Sequence, residues 1–422
     1  MIDIVNPKDC CGCGACVQRC PKSCIIMLED KEGFLYPQVE VDLCIGCDVC
    51  ERVCPMLVYN ESQKPLNVYA AKNSNEEQRL RSSSGGIFIL FAEYIIKKGG
   101  VVFGARFDKN WEVEHCYAET VENLEPLMRS KYVQSRIGNT YKEAELFLKQ
   151  GRLVLFVGTP CQIVGLHRFL RKEYENLFVV DFICHGVPSP GVWRKYLDEI
   201  KGMQISRSKV AGKNTVLSSP QNTIPVITSI NFREKQLEGY SWKKYGFVVH
   251  EKSSVKGDEN MVLLSTKASD NPFVRVFLSN NNLRKTCYDC QFKDGRSRAD
   301  ITLGDYWGIE KFLPDYADVQ GNSVVFVHTE LGKQIFHSVV TDYRISNVVD
   351  ASRVNVSYYK PSPCPSTRTA FFREINNEFV TLSEVVEKTI PNIKEETPIQ
   401  FMLALPVRTK RYLMRKLFHK NF

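Results

Sequence analysis

Long apolar runs are missing from this 422-residue chain. The longest, near Gly86 to Ile96, contains Glu93 and falls well short of the roughly 20 apolar residues that a membrane helix needs. The first residues, Met1-Ile2-Asp3-Ile4-Val5, carry no basic stretch followed by an apolar one, so no signal peptide is expected. Strong charge of one sign is missing too. The 56 Lys+Arg against 48 Asp+Glu leave +8, and no basic stripe interleaved with aromatics points to nucleic acid. The loop Ser82-Ser-Ser-Gly-Gly86 lacks the Gly-Lys-Ser/Thr that would make it a Walker loop. What remains is ordinary globular composition in a chain long enough for two or three domains and a large core. Cysteines without an export signal suit a reducing cytoplasm, where thiolates are kept for metal and disulfides do not form.

Cysteine is abundant. Cys10-x-x-Cys13-x-x-Cys16-x-x-x-Cys20-Pro21 recurs, residue type for residue type, as Cys44-x-x-Cys47-x-x-Cys50-x-x-x-Cys54-Pro55. Eight of the 16 cysteines therefore lie on one spacing used twice. This is the spacing of a bacterial two-cluster ferredoxin, in which three thiolates of each run bind one cubane and the fourth crosses to the other. One [4Fe-4S] cluster is expected on Cys10, Cys13, Cys16 and Cys54, and another on Cys44, Cys47, Cys50 and Cys20. Short gaps let three thiolates converge from one tight loop. Gly12, Gly14 and Gly46 let the backbone pass close to inorganic sulfide, and the proline ends the loop. Structural zinc also uses Cys-x-x-Cys pairs, but a zinc ribbon takes two pairs rather than two runs of four with a trailing proline. Cys11 and Cys24 lie off the pattern and read as bystanders. The chain moves electrons.

The ferredoxin module is expected over residues 1–60, an α+β two-cluster unit closed by the polar linker Asn60 to Pro65. A larger α/β domain with a partly parallel sheet follows. Val68–Lys72 reads as a strand, Ile87–Ile96 as a helix stopped by Gly99-Gly100, and Val101–Phe107 as a strand. Leu153–Val157 and Leu177–Ile183 are short apolar runs suited to buried parallel strands, joined by a turn at Gly158–Gln162 and a helix from Ile163 to Lys172. Cys161 and Cys184 thus fall just past the carboxyl ends of consecutive strands, the edge where open α/β sheets keep ligands. Roughly Gly202 to Pro225 reads as a polar, mobile insertion, with strands resuming near Val226 to Phe232. Residues 346–422 form an extension with no chemical signal. Its basic tail from Pro406 alternates with apolar residues, which suits either weak contact with an anionic membrane surface or a solvated helix end.

Four further cysteines stand out. Cys161 and Cys184 crown adjacent strands, and Cys287-x-x-Cys290 is flanked by Arg284, Lys285 and Lys293. Four thiolates suit one more cubane or a zinc ion, and spacing alone leaves both open. The Ser/Gly loop before the Ile87 helix suits a phosphate or an ordinary cap.

Taken in order, Ser83-Ser-Gly-Gly86, Ser130-Lys-Tyr-Val-Gln-Ser135, Gly158-Thr-Pro-Cys-Gln162, Cys184-His-Gly186, Cys287-x-x-Cys290 and Ala299-Asp-Ile-Thr-Leu-Gly-Asp305 resemble the family of coenzyme F-420 hydrogenase/dehydrogenase beta subunits. The resemblance covers roughly Leu66 to Lys311, with residues 66–150 and 151–345 as the two parts of that domain. It implies bound FAD and a third [4Fe-4S] cluster on Cys161, Cys184, Cys287 and Cys290. It places Ser84, Gly85, Gly86, Ser130, Lys131 and Tyr132 in the flavin pocket. Lys131 and Arg129 suit either pairing with flavin phosphate or a substrate carboxylate, or solvated surface charge. His185 is a candidate proton donor or a structural histidine. The implied protein is a flavin-dependent oxidoreductase with an in-built electron wire. Its partners would be a redox protein, such as ferredoxin or another oxidoreductase subunit, and a small organic substrate or deazaflavin, with no nucleic acid. The rival class is a non-catalytic electron-transfer adaptor, and a third reading is a binding scaffold with a structural cluster.

Overall fold

A computed structural model describes residues 1–210, 226–252 and 260–390. The chain opens with a small module whose two cysteine runs each begin as a loop and end in a short helix, Ala15–Arg19 in one and Val49–Arg52 in the other. Between them β1 (Ile25–Glu29) and β2 (Leu35–Val39) form an antiparallel hairpin. Left-handed backbone at Gly12, Gly14 and Gly46 turns the loops, a conformation glycine adopts without steric cost.

The larger domain is built on one sheet of eight strands. In chain order these are β3 (Asn67–Lys72), β4 (Val101–Phe107), β5 (Val113–Ala118), β6 (Val154–Gly158), β7 (Leu177–Phe182), and then β11 (Ile301–Asp305), β12 (Ser323–Val327) and β13 (Asp342–Ser346). Their spatial order is β13-β3-β12-β11-β7-β6-β4-β5. The centre, β11-β7-β6-β4, is parallel, and every pair outside it is antiparallel. Central strands such as Val154–Gly158 are apolar almost throughout because helices cover both faces. The sheet is therefore mixed, with a parallel core. A separate antiparallel sheet, β8 (Ile227–Glu234), β9 (Gly246–Lys252) and β10 (Asn260–Lys267), packs through Phe232, Phe247 and Val249 onto Trp193 and Tyr196.

Three local expectations change. The helix after β6 runs Pro160–Leu170, three residues ahead of Ile163, because Thr159 and Gln162 form a capping box with proline in the first turn. Cys161 therefore lies on the helix rather than in the turn before it. The helix Pro190–Val210 runs on into the stretch read as a polar insertion, whose remainder, 211–225, lies outside the described residues. The segment past 345 is part of the body up to Ile390, since Phe371, Phe372, Leu382 and Val386 complete the core around Trp193. The basic tail from Pro406 lies outside the described residues.

The module is seated against the large domain rather than tethered to it. Gln18 Oε1 accepts from the Tyr141 and Lys142 N–H groups at 3.0 and 3.2 Å, and Arg19 pairs with Glu145 at 3.1 Å. Arg368 makes a forked pair with Glu32 at 2.8 and 2.5 Å. At the hairpin turn two glycines meet: a Cβ on Gly33 would lie 2.5 Å from the Gly191 backbone. Gly33 also has φ +81, so Gly33→Ala is both strained and overpacked. A loss of about 2 kcal/mol is expected, within the usual range for such changes, read as a lower urea midpoint with unchanged slope.

Candidate metal centres

The doubled motif folds into two separate cavities. One, of about 330 Å³, is lined by Cys10, Cys13, Cys16 and Cys54, with Cys11 beside them. The other, of about 350 Å³, is lined by Cys20, Cys44, Cys47 and Cys50, with Cys24. The fourth cysteine of each run thus turns away from its own loop and into the other's cavity. Backbone N–H groups already point at the sulfurs, from Gly12 to Cys10 Sγ and from Ile2 to Cys50 Sγ, each at 3.3 Å. Hydrogen bonds of this kind tune cluster thiolates. Burial, then the proximity of Cys10 and Cys54, pushes the Cys16 thiol up to about 12. Metal must therefore displace protons from these sulfurs as it binds.

The third set also comes together. Cys161 sits in the first turn of Pro160–Leu170, Cys184 two residues past β7, Cys287 in the 3-10 helix Lys285–Asp289, and Cys290 at its end. Burial and the neighbouring Cys161 and Cys290 push the Cys184 thiol to about 12, against the opposing pull of Lys293. Cys287 is raised by burial and then by Cys184, Cys290 and Cys161. The Lys293 ammonium, 4% exposed, donates to the Cys184 and Ser357 carbonyls and supplies positive charge near the Cys184 and Cys290 sulfurs. Among the described residues no three His, Cys, Asp or Glu are grouped to hold a single metal ion. A cubane binds each thiolate on its own iron, so its ligands stand further apart than those of one zinc.

Cys11 and Cys24 are closer to these centres than bystanders would be. Cys24 Sγ lies 3.4 Å from Cys20 Sγ. Cys11 lies close enough to both Cys13 and Cys161 to perturb them, and its proximity is the largest influence holding the Cys161 thiol up. The helix carrying Cys161 presses on the first cavity, since a Cβ on Gly165 would lie 2.9 Å from Cys13 Cβ. The first and third sets are therefore neighbours.

The other expected residues are more dispersed. Ser84 donates to the Asn322 carbonyl and the Gly85 N–H to Ser323 Oγ, both at 3.1 Å. A Cβ on Gly85 would meet Ala71 O at 2.7 Å, so this glycine is needed for close packing on β3. Gly86 caps the helix Ile87–Lys97 with φ +78. The Ser130 N–H donates to Ser83 Oγ at 2.9 Å. The Lys131 ammonium turns inward onto the Met128 carbonyl at 2.7 Å, and Arg129 Nε onto the Arg81 carbonyl at 2.9 Å. Tyr132 stacks on Phe277 at 4.7 Å, and Phe277 meets His185 edge-on at 5.0 Å. This links the 130–132 segment to the Cys184 loop. His185 Nε2 lies 2.6 Å from Asn280 Oδ1, and burial lowers its pKa.

Known proteins share both halves of this arrangement. Residues 151–350 match the model described as the C terminus of the coenzyme F420 hydrogenase/dehydrogenase beta subunit. That segment belongs to the family of F420 hydrogenase/dehydrogenase beta subunits. Residues 6–58 match a 4Fe-4S dicluster domain. The chain is 26% identical over 193 residues to a subunit of the F420H2 dehydrogenase of Methanosarcina mazei, covering 43% of this chain and 55% of that one. It is 27% identical over 193 residues to a coenzyme F420-dependent sulfite reductase of Methanocaldococcus jannaschii, covering 44% of this chain and 29% of that one. It therefore spans about half, or less, of the length of these curated relatives. An uncharacterized ferredoxin of the same organism is 38% identical over 52 residues, covering 12% of this chain and 66% of that one. A solved structure of the F420-reducing [NiFe] hydrogenase complex from Methanosarcina barkeri aligns over 68% of this chain and 84% of that one. Its TM-score is 0.42 at 15% identity. The chain is an iron–sulfur redox protein related to F420 hydrogenase/dehydrogenase subunits. No helix among the described residues is long and apolar enough to cross a membrane.

The structure also places charge that cysteine spacing does not reveal. Arg233, on β8, pairs with Asp305 at the carboxyl end of β11, and Lys235 donates to the Ser84 carbonyl at 3.2 Å. The small sheet thereby holds the Ser/Gly loop in place. Asp181, on β7 and 2% exposed, is pushed up to about 7, chiefly by burial. A carboxyl raised in the folded state contributes its stability below the ordinary value of 3.8 and loses it as pH rises to about 7. Unfolding free energy measured by urea is thus expected to fall across that window. Asp181→Asn is expected to flatten the slope, and an unchanged slope would rule this carboxyl out.

Proposed function

We propose that the chain is an oxidoreductase subunit that carries electrons between a ferredoxin-type pair of cubanes and a third cubane beside FAD. At that flavin an organic substrate or a deazaflavin coenzyme would exchange hydride. The observation that supports this reading is that the Cys161, Cys184, Cys287 and Cys290 thiols lie near enough to raise one another's pKa, on a helix and loops of which the first packs against Cys13. The family of residues 151–350 and the names of the Methanosarcina mazei and Methanocaldococcus jannaschii relatives that mention F420 support the deazaflavin side of it. When bound, cubanes supply one-electron steps and a flavin couples them to two-electron chemistry.

The residues have distinct tasks. Cys10, Cys13, Cys16 and Cys54, and separately Cys20, Cys44, Cys47 and Cys50, would hold the two clusters of the module. Cys161, Cys184, Cys287 and Cys290 would hold the third, with Lys293 offsetting their negative charge. These four cysteines are half-buried. His185 is a positioning residue: Asn280 fixes its ring, and its carbonyl accepts from Ser362 Oγ at 2.5 Å, steadying the Cys184 loop. Ser84, Gly85, Gly86, Ser130 and Tyr132 would frame the flavin, with backbone groups rather than the Lys131 ammonium facing it. A redox protein is the expected electron partner.

Anaerobically purified protein is expected to carry about twelve irons, about twelve sulfides and one FAD, from three cubanes of four irons each. Cys287→Ser should bring iron down to about eight and block flavin reduction by the dithionite-reduced module. About eight irons in the unaltered chain would remove the third cluster. Twelve irons without any flavin would instead favour the electron-transfer adaptor.

A further inference from the structure

Arg284 has no exposed surface. Its guanidinium lies between the first cysteine cavity and the third set. Nε donates to the Cys10 carbonyl at 2.7 Å, and one terminal nitrogen to Gln134 Oε1 at 3.2 Å. The other donates to the Leu35 carbonyl at 3.0 Å and to Cys10 Sγ at 3.4 Å. The rings of Tyr36 and Phe34 complete the enclosure, at 4.1 and 5.5 Å. Glu32, one of three carboxylates of the same hairpin, is taken by Arg368 and Lys285 instead. The groups that act most strongly on Arg284 are Cys10, Tyr36, Cys11 and Cys287, and Arg284 in turn acts on Cys161.

A buried guanidinium without an anion is among the most costly arrangements a protein can hold. The anion fitting this position is a cubane held through Cys10, since four thiolates leave such a cluster negative. The reduced cluster carries one more negative charge than the oxidised one, so a fixed cation stabilises the reduced state more. In the other run it is an exposed guanidinium, that of Arg52, that donates to a cysteine carbonyl, that of Cys47 at 2.8 Å. Gly12 sits where a Cβ would lie 2.9 Å from an Arg284 nitrogen, whereas the equivalent Gly46 has nothing within 4 Å of such a position.

We propose that Arg284 is a positioning residue that raises the reduction potential of the Cys10/Cys13/Cys16/Cys54 cubane. It thereby makes the cluster against the large domain a better electron acceptor than it would otherwise be. The electron comes from an external one-electron donor, here dithionite, and no proton or bond changes hands. The claim concerns the module alone; that the electron then passes to the third site rests on the function proposed above.

The test is an anaerobic, EPR-monitored dithionite titration of the reconstituted full chain. In Arg284→Gln one cluster transition is expected to move to more negative potential while iron and sulfide stay at the unaltered level. If that variant loads iron poorly, Arg284→Lys decides. An ammonium cannot reach both Cys10 and Leu35 as the fork does, so a smaller shift of the same sign is expected. Transitions coincident with the unaltered protein at full iron loading would overturn the proposal. So would a variant that only lowers thermal stability. An iron count of about eight, by contrast, would remove the third cluster and leave this claim standing.

Discussion

A charge with no route to water must be met by the protein, and at Arg284 that requirement organises three parts of the chain at once. Its fork binds the first cysteine loop through Cys10, the hairpin through Leu35 and the large domain through Gln134. Its own backbone N–H donates to the Val187 carbonyl in the loop after Cys184. Moving the module away would take the Cys10 and Leu35 carbonyls and the Phe34 and Tyr36 rings with it, leaving the guanidinium only Gln134 of these partners. The tight seam has the same origin: Gly12 leaves room for the guanidinium, and Gly165 lets the Cys161 helix touch Cys13.

Duplication in sequence therefore does not mean equivalence in the molecule. The first run is enclosed by the large domain, with Cys13 and Cys16 buried. The other run faces outward, with Leu43 at 55% and Ile45 at 59% exposure around Cys44. Two identical spacings meet different surroundings, and surroundings set how readily a cluster accepts an electron. Cys11, which belongs to neither spacing, spans the gap between the first set and Cys161.

Much of the fold is legible in the sequence because periodicity and turn chemistry act locally. The runs at Val101–Phe107 and Leu177–Phe182 are apolar enough to be buried strands wherever they go, and Gly99-Gly100 stops a helix by backbone freedom alone. The start of the Cys161 helix escapes an apolar count because a capping box outweighs it. The helices past Arg368 carry no motif: they are amphipathic fillers whose partners, Trp193 and Tyr196, lie far back in the chain. Arg284 and Lys293 are visible as basic residues around Cys287, but spacing does not say which of them is buried, nor what it touches.

Residue spacing and short-range backbone preference are enough to define the two four-cysteine runs and the parallel strands at the sheet's centre. They also mark out the four further cysteines that stand apart from the runs. Tertiary packing alone presses the first run, and not the other, against the third set. It alone places a buried cation there and turns Lys131 inward onto the Met128 carbonyl. Such choices depend on which surfaces exclude water from one another, and residues 10, 134, 165 and 284 meet only once the whole chain has folded.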